Sequence, residues 1–240
     1  MHKFGLLVSY RDRKDNLDVF VPHMSEWLEN NLKDVDWHIY IAEQSNDGNY
    51  FNKGRCINAA FSLSQKCGVD YICQHDVDMI PVDDKCDYSW SDSPIHLAVH
   101  VEQFGWKLNA PTYWGGAILL KSTDYVKANG FSNNYWGWGS EDIDFGERII
   151  QSGNSIGRPR KGRYRSLPHK KHKWHLCEEG INKSMRQKNA TILRDLREGN
   201  YDFRNEGLNS HKFNLIDSIE INERTTKFLV EFDKKEATFL

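Results

Sequence analysis

The sequence has few cysteines for its 240 residues: five, an odd number, with no C-x-x-C pair among them. That excludes a disulfide-rich scaffold and a zinc ribbon, and makes a reduced compartment the simpler assumption. No apolar run approaches the ~20 residues of a membrane-spanning helix, and Met1-His2-Lys3 leads straight into a strand-like segment with no signal-peptide pattern. Neither sign of charge is in excess. With 32 basic and 34 acidic residues and a net charge of -2, the chain has no nucleic-acid footprint, and no such partner is expected. Internal repeats, low-complexity segments and a phosphate-binding G-x-G-x-x-G are also absent. The triplets Asn182-Lys183-Ser184 and Asn189-Ala190-Thr191 fit the glycosylation acceptor pattern, which matters only in a secreted chain.

Aromatic residues, by contrast, are plentiful: eight Trp, ten Tyr and twelve Phe, or 12% of the chain. They suit a carbohydrate-handling surface or a large core. The segment that concentrates them runs from Phe131 through Tyr135-Trp136-Gly137-Trp138-Gly139-Ser140 to Glu141-Asp142-Ile143-Asp144-Phe145. Two indoles hinged by glycines, followed at once by carboxylates, can stack on a sugar ring and accept a proton from a hydroxyl held there. The plainer reading is a Trp-rich core turn and an acidic first helical turn.

In chain order, Phe4–Ser9, Trp37–Ala42 and Tyr71–Gln74 read as strands. Between them lie apolar positions at helical spacing: Leu17, Phe20, Val21, Met24, Trp27 and Leu28, then Ile57, Ala60 and Phe61. Pro22 places the regular start of the first helix near itself. This alternation predicts an α/β fold with a parallel sheet open at its carboxyl edge, where ligands bind. The third strand ends in His75-Asp76-Val77-Asp78. Carboxylates at i and i+2 point the same way from extended backbone, which suits a divalent metal or a nucleotide held through it, although a solvated turn has the same pattern. Ile95–Val99 and Ala117–Leu120 read as further strands, and Gly115-Gly116 before the latter allows close backbone approach or a bend. Ser122 is an expected N-cap, Gly130 ends the helix it starts, and Asp142 falls in the first turn of the next, whose N-terminus favours an ionised carboxylate. Past Arg158-Pro159-Arg160 the chain turns basic, with His169, His172 and His175 at steps of three: a metal site or a mobile surface loop.

The order of these motifs resembles glycosyltransferase family 7, the β-1,4-galactosyltransferases, and within it the members that add galactose to xylose in the proteoglycan linker. The resemblance runs from Lys3 to about Ser210 and includes Tyr10-Arg11-Asp12-Arg13, Phe51-Asn52, His75–Asp78, Tyr113–Gly116, Asn129–Asp144 and Gly207-Leu208-Asn209-Ser210. It implies a GT-A fold, a Rossmann-like mixed sheet flanked by helices. Residues 1–215 would form the catalytic domain, with a nucleotide-sugar half to 110 and an acceptor and catalytic half beyond it, and 216–240 a C-terminal extension. The implied activity is inverting, Mn²⁺-dependent transfer of galactose from a UDP-sugar donor to a saccharide or glycoconjugate acceptor, in a β-1,4 linkage.

Carried over by position, Arg11, Arg13 and Asp76 bind the uridine diphosphate, Asp78 and His169 ligate manganese, and Asp142 is the catalytic base with Glu141 contacting sugar beside it. The resemblance further implies that Trp138 closes over both substrates, that Trp136 and Gly116 line the substrate pocket, and that Tyr113 borders the second carbon of the donor sugar, favouring galactose over N-acetylgalactosamine. The chain departs from the pattern at two places. Ser166 stands where many members have a further metal ligand, while linker-type members use H-x-H and the next histidine here is His172, the remaining candidate ligand. Lys53 replaces a usual arginine, keeping the charge but losing the planar fork. A full chain would be cytoplasmic; a domain cut from a membrane-anchored precursor would lie in the Golgi lumen. An inactive sugar-binding module and a zinc hydrolase built on the three histidines are the alternatives.

Overall fold

The computed structural model describes residues 1–168 and 179–233. In chain order the elements are β1 (Lys3–Tyr10), α1 (Lys14–Asn31), β2 (Asp36–Gln44), α2 (Lys53–Ser64), β3 (Tyr71–Asp76), β4 (Met79–Pro81), β5 (Ile95–His96), β6 (His100–Val101), β7 (Ala117–Lys121), α3 (Ser122–Lys127), α4 (Glu141–Gln151), β8 (Arg163–Ser166), α5 (Glu179–Glu198), β9 (Asn214–Asn222) and β10 (Thr225–Glu231). The main sheet has the order β5-β7-β3-β1-β2-β10-β9. β1 runs parallel to β2 and β3, whereas β7 is antiparallel to β3 and to β5. The sheet is therefore mixed, as in the GT-A expectation. A second sheet, β4-β8-β6, sits beyond the end of β3.

Alternation along β1 divides the core in two. Leu6 and Val8 join Phe20 and Met24 of α1, together with Ile39, Cys73 and Leu119. Leu7 faces the other way and packs in a second cluster with Ile57 and Phe61 of α2, Phe131, and Phe145 and Ile149 of α4. Helices thus cover both faces, and the carboxyl ends of β1 and β3 open toward the N-termini of α2 and α4.

Several local expectations are corrected. α1 starts at Lys14, so Pro22 lies inside the helix. Proline removes one helical hydrogen bond, but Pro22 and Asp18 are both on the exposed side, where water solvates the freed carbonyl, and burial of Phe20, Val21 and Met24 carries the helix through. Ser122 is not the N-cap of α3: Lys121 is, and Ser122 Oγ donates to Val69 O at 2.6 Å instead. Of Ile95–Val99 only Ile95–His96 forms a strand. Residues 216–240, expected as an extension, begin inside β9, and β10 pairs in parallel with β2, so the described part of that segment belongs to the sheet.

A buried ionic network holds α4 to the C-terminal third of the described chain. Arg148 Nε donates to Asp144 Oδ1 at 2.6 Å, with both side chains fully buried. The same guanidinium donates to Glu206 O at 2.8 Å and to Glu206 Oε2 at 3.0 Å, and Tyr135 OH reaches Asp144 Oδ2 at 3.0 Å. Burial pushes the Asp144 carboxyl up to about 6 even though Arg148 and Tyr135 pull it down. Arg148→Met strands that carboxyl and is expected to lower stability by ~3–5 kcal/mol in chemical denaturation. Adding Asp144→Leu should recover part of the loss; a single variant as stable as the parent would show that the pair contributes nothing.

Candidate active site

The sheet's open edge carries a cavity of about 810 Å³, lined among others by Ser9, Arg11, Arg13, Phe51, Lys53, Asp76, Asp78, Gln103, Phe104, Asn109, Tyr113, Trp138, Glu141, Asp142, Ser166 and Arg186. Its floor is made by chain ends that the fold forces together. β1 ends at Tyr10, and Arg11 and Arg13 follow; Arg11 NH1 donates to Asn49 O at 3.0 Å. β3 ends at Asp76, whose backbone N–H donates to Gly116 O at 2.8 Å. Asp78 lies past the strand, in the turn before β4, where its carbonyl accepts from Leu167 N at 2.6 Å. The two carboxylates therefore do not share the extended-strand geometry expected of them. Asp78 pairs with Arg13, and Asp76 pairs with Lys53.

Lys53 joins the two sides of the cavity. It opens α2, whose N-cap Asn52 accepts from Arg55 N at 2.8 Å. Its side chain is 9% exposed, and Nζ lies 2.6 Å from Asp76 Oδ1 and 2.7 Å from Asp142 Oδ1. Burial works against the ammonium, but Asp142, Asp76 and Glu141 together outweigh it and hold Lys53 well above the usual lysine range. Asp142 occupies the first turn of α4, as expected. Its acidity differs from expectation: burial raises its pKa, opposed by Lys53 and reinforced by Asp76 and Asp78. The lysine, more than the helix end, favours its charged form. Because the Asp142 side chain keeps 20% exposure at the cavity wall, water moderates the burial effect. Glu141 is driven up to about 7 by burial and by the adjacent Asp142, against Lys53. Its Oε2 accepts from Gly139 N at 2.9 Å, bracing the turn before α4.

Opposite Asp142 stands Tyr113. Gly115 has no room for a side chain, because a Cβ there would lie 2.7 Å from Tyr113 OH and 2.9 Å from Asp142 Oδ2. Phenol and carboxylate thus converge on one backbone position. Burial, then Asp76 and Asp142, raise the Tyr113 pKa and keep the phenol protonated. The Gly115 carbonyl faces His96 Nε2 at 2.9 Å.

The two indoles separate. Trp138 is 58% exposed on the cavity rim, with the Arg186 guanidinium 4.8 Å from its ring centroid. Trp136 is 2% exposed and packs in the second core cluster, its carbonyl accepting from Asn189 Nδ2 at 3.1 Å. The structure therefore corrects Trp136 from a substrate contact to a core residue that anchors the turn. Gly116 also stays off the cavity wall. At φ +94° with Ala98 and Met79 packed where a Cβ would go, it is required by backbone geometry, and its carbonyl holds Asp76.

For a divalent metal, Asp78 and Asp76 supply hard oxygen donors at the cavity wall beside two arginines suited to phosphate, a donor set that fits. No three His, Cys, Asp or Glu side chains form a ready metal cluster among the described residues. His169, His172 and His175 lie outside the described residues. Lys53 was visible in the sequence only as a departure from pattern, and Arg186 not as a site residue at all; no local motif marks it.

The mixed sheet with a carboxylate pair past a central strand defines a GT-A-type α/β fold. A family model described as the N-terminal region of glycosyl transferase group 7 matches residues 1–91, and one described as the N-terminal domain of galactosyltransferase matches residues 95–170. β-1,4-Galactosyltransferase 7 of Drosophila melanogaster is 34% identical over 230 residues, 92% of this chain and 68% of that protein. Xylosylprotein 4-β-galactosyltransferase of Caenorhabditis elegans is 38% identical over 65% of this chain and 53% of its own length, and mouse β-1,4-galactosyltransferase 1 is 35% identical over 72% and 43%. The chain thus spans about half the length of several curated relatives it matches. The crystal structure of a Drosophila β1,4-galactosyltransferase 7 mutant in complex with manganese, UDP-Gal and xylobiose superposes with a TM-score of 0.75 at 27% identity, covering 97% of this chain and 95% of that one. The chain belongs to glycosyltransferase family 7, the β-1,4-galactosyltransferase family.

The acid side of the stability profile tests the packing around Gly115. Burial depresses the His96 pKa to about 4, so the unfolded chain takes up a proton below about 6.5 that the folded state refuses. This stability is fully present above pH 6.5 and declines as pH falls toward 4. His96→Gln keeps a donor for Gly115 O but cannot titrate, so the stability gap between parent and variant should shift in the variant's favour by on the order of 3 kcal/mol between pH 7 and 4. A gap independent of pH would mean that His96 titrates normally in the fold.

Proposed function

We propose that this chain is an inverting glycosyltransferase that moves galactose from UDP-galactose to a saccharide hydroxyl and forms a β-1,4 linkage. The observation that carries the reading is the joint position of Asp142 and Tyr113, a carboxylate and a phenol at one glycine, in the cavity that Arg11, Arg13, Asp76 and Asp78 also line. This supports reading Asp142 as the proton acceptor, Tyr113 as the wall that shapes the sugar site, and the two arginines as the diphosphate cradle.

Arg11 and Arg13 bind the diphosphate oxygens through guanidinium hydrogen bonds. Asp78 and His169, with His172 as a further candidate, would hold Mn²⁺, the metal present beside UDP-Gal in the Drosophila complex. When bound, the metal supplies charge stabilisation for the departing diphosphate. Asp142 takes the proton from the acceptor hydroxyl as that oxygen attacks the anomeric carbon from the face opposite the diphosphate, which inverts the configuration. Lys53 on Oδ1 favours the charged carboxylate and leaves Oδ2 toward Gly115 and the cavity. Trp138 on the rim covers the sugars and limits water that would hydrolyse the donor. Tyr113 fills the space beside the donor's second carbon and disfavours an acetamido group there. The xylobiose in the Drosophila complex supports a β-xyloside as acceptor.

Asp142→Asn is nearly isosteric but cannot accept the proton. Galactose transfer to a xyloside should fall by at least ~10²-fold, while thermal stabilisation by UDP stays close to that of the parent. A variant retaining most of its activity would remove Asp142 from the role of base.

A further inference from the structure

Tyr113 belongs to a loop without regular structure, yet a selective wall has to be rigid: a phenol that can swing away admits the group it is meant to exclude. The loop's restraint comes from a residue outside the cavity, Arg158. Its NH2 donates to Pro111 O at 2.7 Å and to Tyr113 O at 3.1 Å, and its guanidinium lies 3.9 Å from the centroid of the Trp114 ring. One planar cation therefore grips the residues on both sides of Thr112 and the one after Tyr113. The root of this side chain is itself fixed, because Gly157 N donates to Pro94 O at 2.8 Å and Gly157 O accepts from His96 N at 2.9 Å.

The same contact reaches the catalytic helix. A Cβ on Gly146 would lie 2.1 Å from Trp114 Cδ1, so the indole rests directly on α4 one turn past Asp142. Trp114 is thus held by α4 and by Arg158 together. On the cavity side, Phe104 meets the Tyr113 ring edge to face at 5.5 Å. Removing Arg158 leaves Tyr113 with the Phe104 and His96 rings as aromatic neighbours, the latter 5.8 Å away, and with its N–H on Ala110 O at 2.9 Å, but frees its carbonyl.

We propose that Arg158 is a positioning residue for donor selection: by bridging the Pro111 and Tyr113 carbonyls and stacking on Trp114, it fixes Tyr113 against the donor sugar and sets its distance from Asp142. This rests on the galactosyltransferase reading above. Arg158 does not line the cavity. Its loss acts through Tyr113, so it should change which sugar is transferred more than how well the nucleotide binds. Lysine keeps the charge but cannot stack and bridge two carbonyls with one planar group, and is only a partial substitute.

The test compares transfer from UDP-galactose and UDP-N-acetylgalactosamine to a xyloside by the parent, Arg158→Ala, Arg158→Lys, Tyr113→Leu and the Arg158→Ala/Tyr113→Leu double variant. Tyr113→Leu should raise the N-acetylgalactosamine to galactose ratio by roughly 10-fold. Arg158→Ala should raise it by about 3- to 10-fold and Arg158→Lys by less, with the UDP-induced melting shift within about twofold of the parent's. Once Tyr113 is shortened, Arg158→Ala should add nothing, since both act on one wall. An unchanged donor ratio in Arg158→Ala, or, if that variant does not fold, in Arg158→Lys, overturns the proposal, as does full additivity in the double variant. A parent that binds UDP but transfers neither sugar refutes the functional reading and this inference with it.

Discussion

The Lys53 ammonium between Asp76 and Asp142 is the interaction on which the site depends. It sits at the start of α2, the end of β3 and the start of α4, three elements that share no sequence neighbourhood. Without a cation there, two carboxylates would face each other on the cavity floor with nothing between them to offset their repulsion. With it, Asp142 can carry charge beside a buried Glu141 that is held up to about 7. An arginine would have spread its charge over a planar fork; lysine concentrates it on one nitrogen, and that nitrogen contacts one oxygen of each carboxylate.

Everything around that contact holds α4 in place. Arg148, fully buried, ties the helix through Asp144 and Glu206 to the segment near residue 206. Asn52 Nδ2 donates to Asn133 O and Asn58 Nδ2 to Phe131 O, both at buried positions, so α2 holds the loop that leads into α4. Gly54 allows the close approach, since a Cβ there would lie 2.5 Å from Ser132 O. Trp114 rests on Gly146 from the other side. The buried Asn52, Asn58, Asn133 and Arg148 side chains hydrogen-bond within this region, which makes it rigid and leaves the rim, with Trp138, as the exposed part.

Much of this was legible in the sequence, for identifiable reasons. The strands β1, β2, β3 and β7 announce themselves as short apolar runs, and the Asp76-Val77-Asp78 motif at a strand's carboxyl end marks the ligand edge of any such sheet. That Asp142 and Tyr113 would lie at the cavity was legible from their positions within motifs. Which indole faces outward was not: Trp136 and Trp138 differ only in what packs against them, and that depends on Arg55, Asn189 and Met185 from distant parts of the chain. Pairing of β10 with β2 joins residues nearly two hundred positions apart, and no local pattern encodes it. Pro22 misled because its helix-breaking cost is local while the burial that offsets it is not. The Asp142 carboxyl misled in the same way, because the helix N-terminus is a local feature and the Lys53 bridge is not.

The proposed function makes this cavity a manganese-dependent UDP-sugar site. Thermal melting of the intact chain with UDP, in Mn²⁺ and in excess chelator, tests it most directly, because a ligand that binds the folded state alone raises the melting temperature by mass action. A clear rise is expected with UDP and Mn²⁺ together, lost in chelator and weakened in Asp78→Asn. An equal shift in chelator, or no shift with UDP in the presence of Mn²⁺, would contradict it.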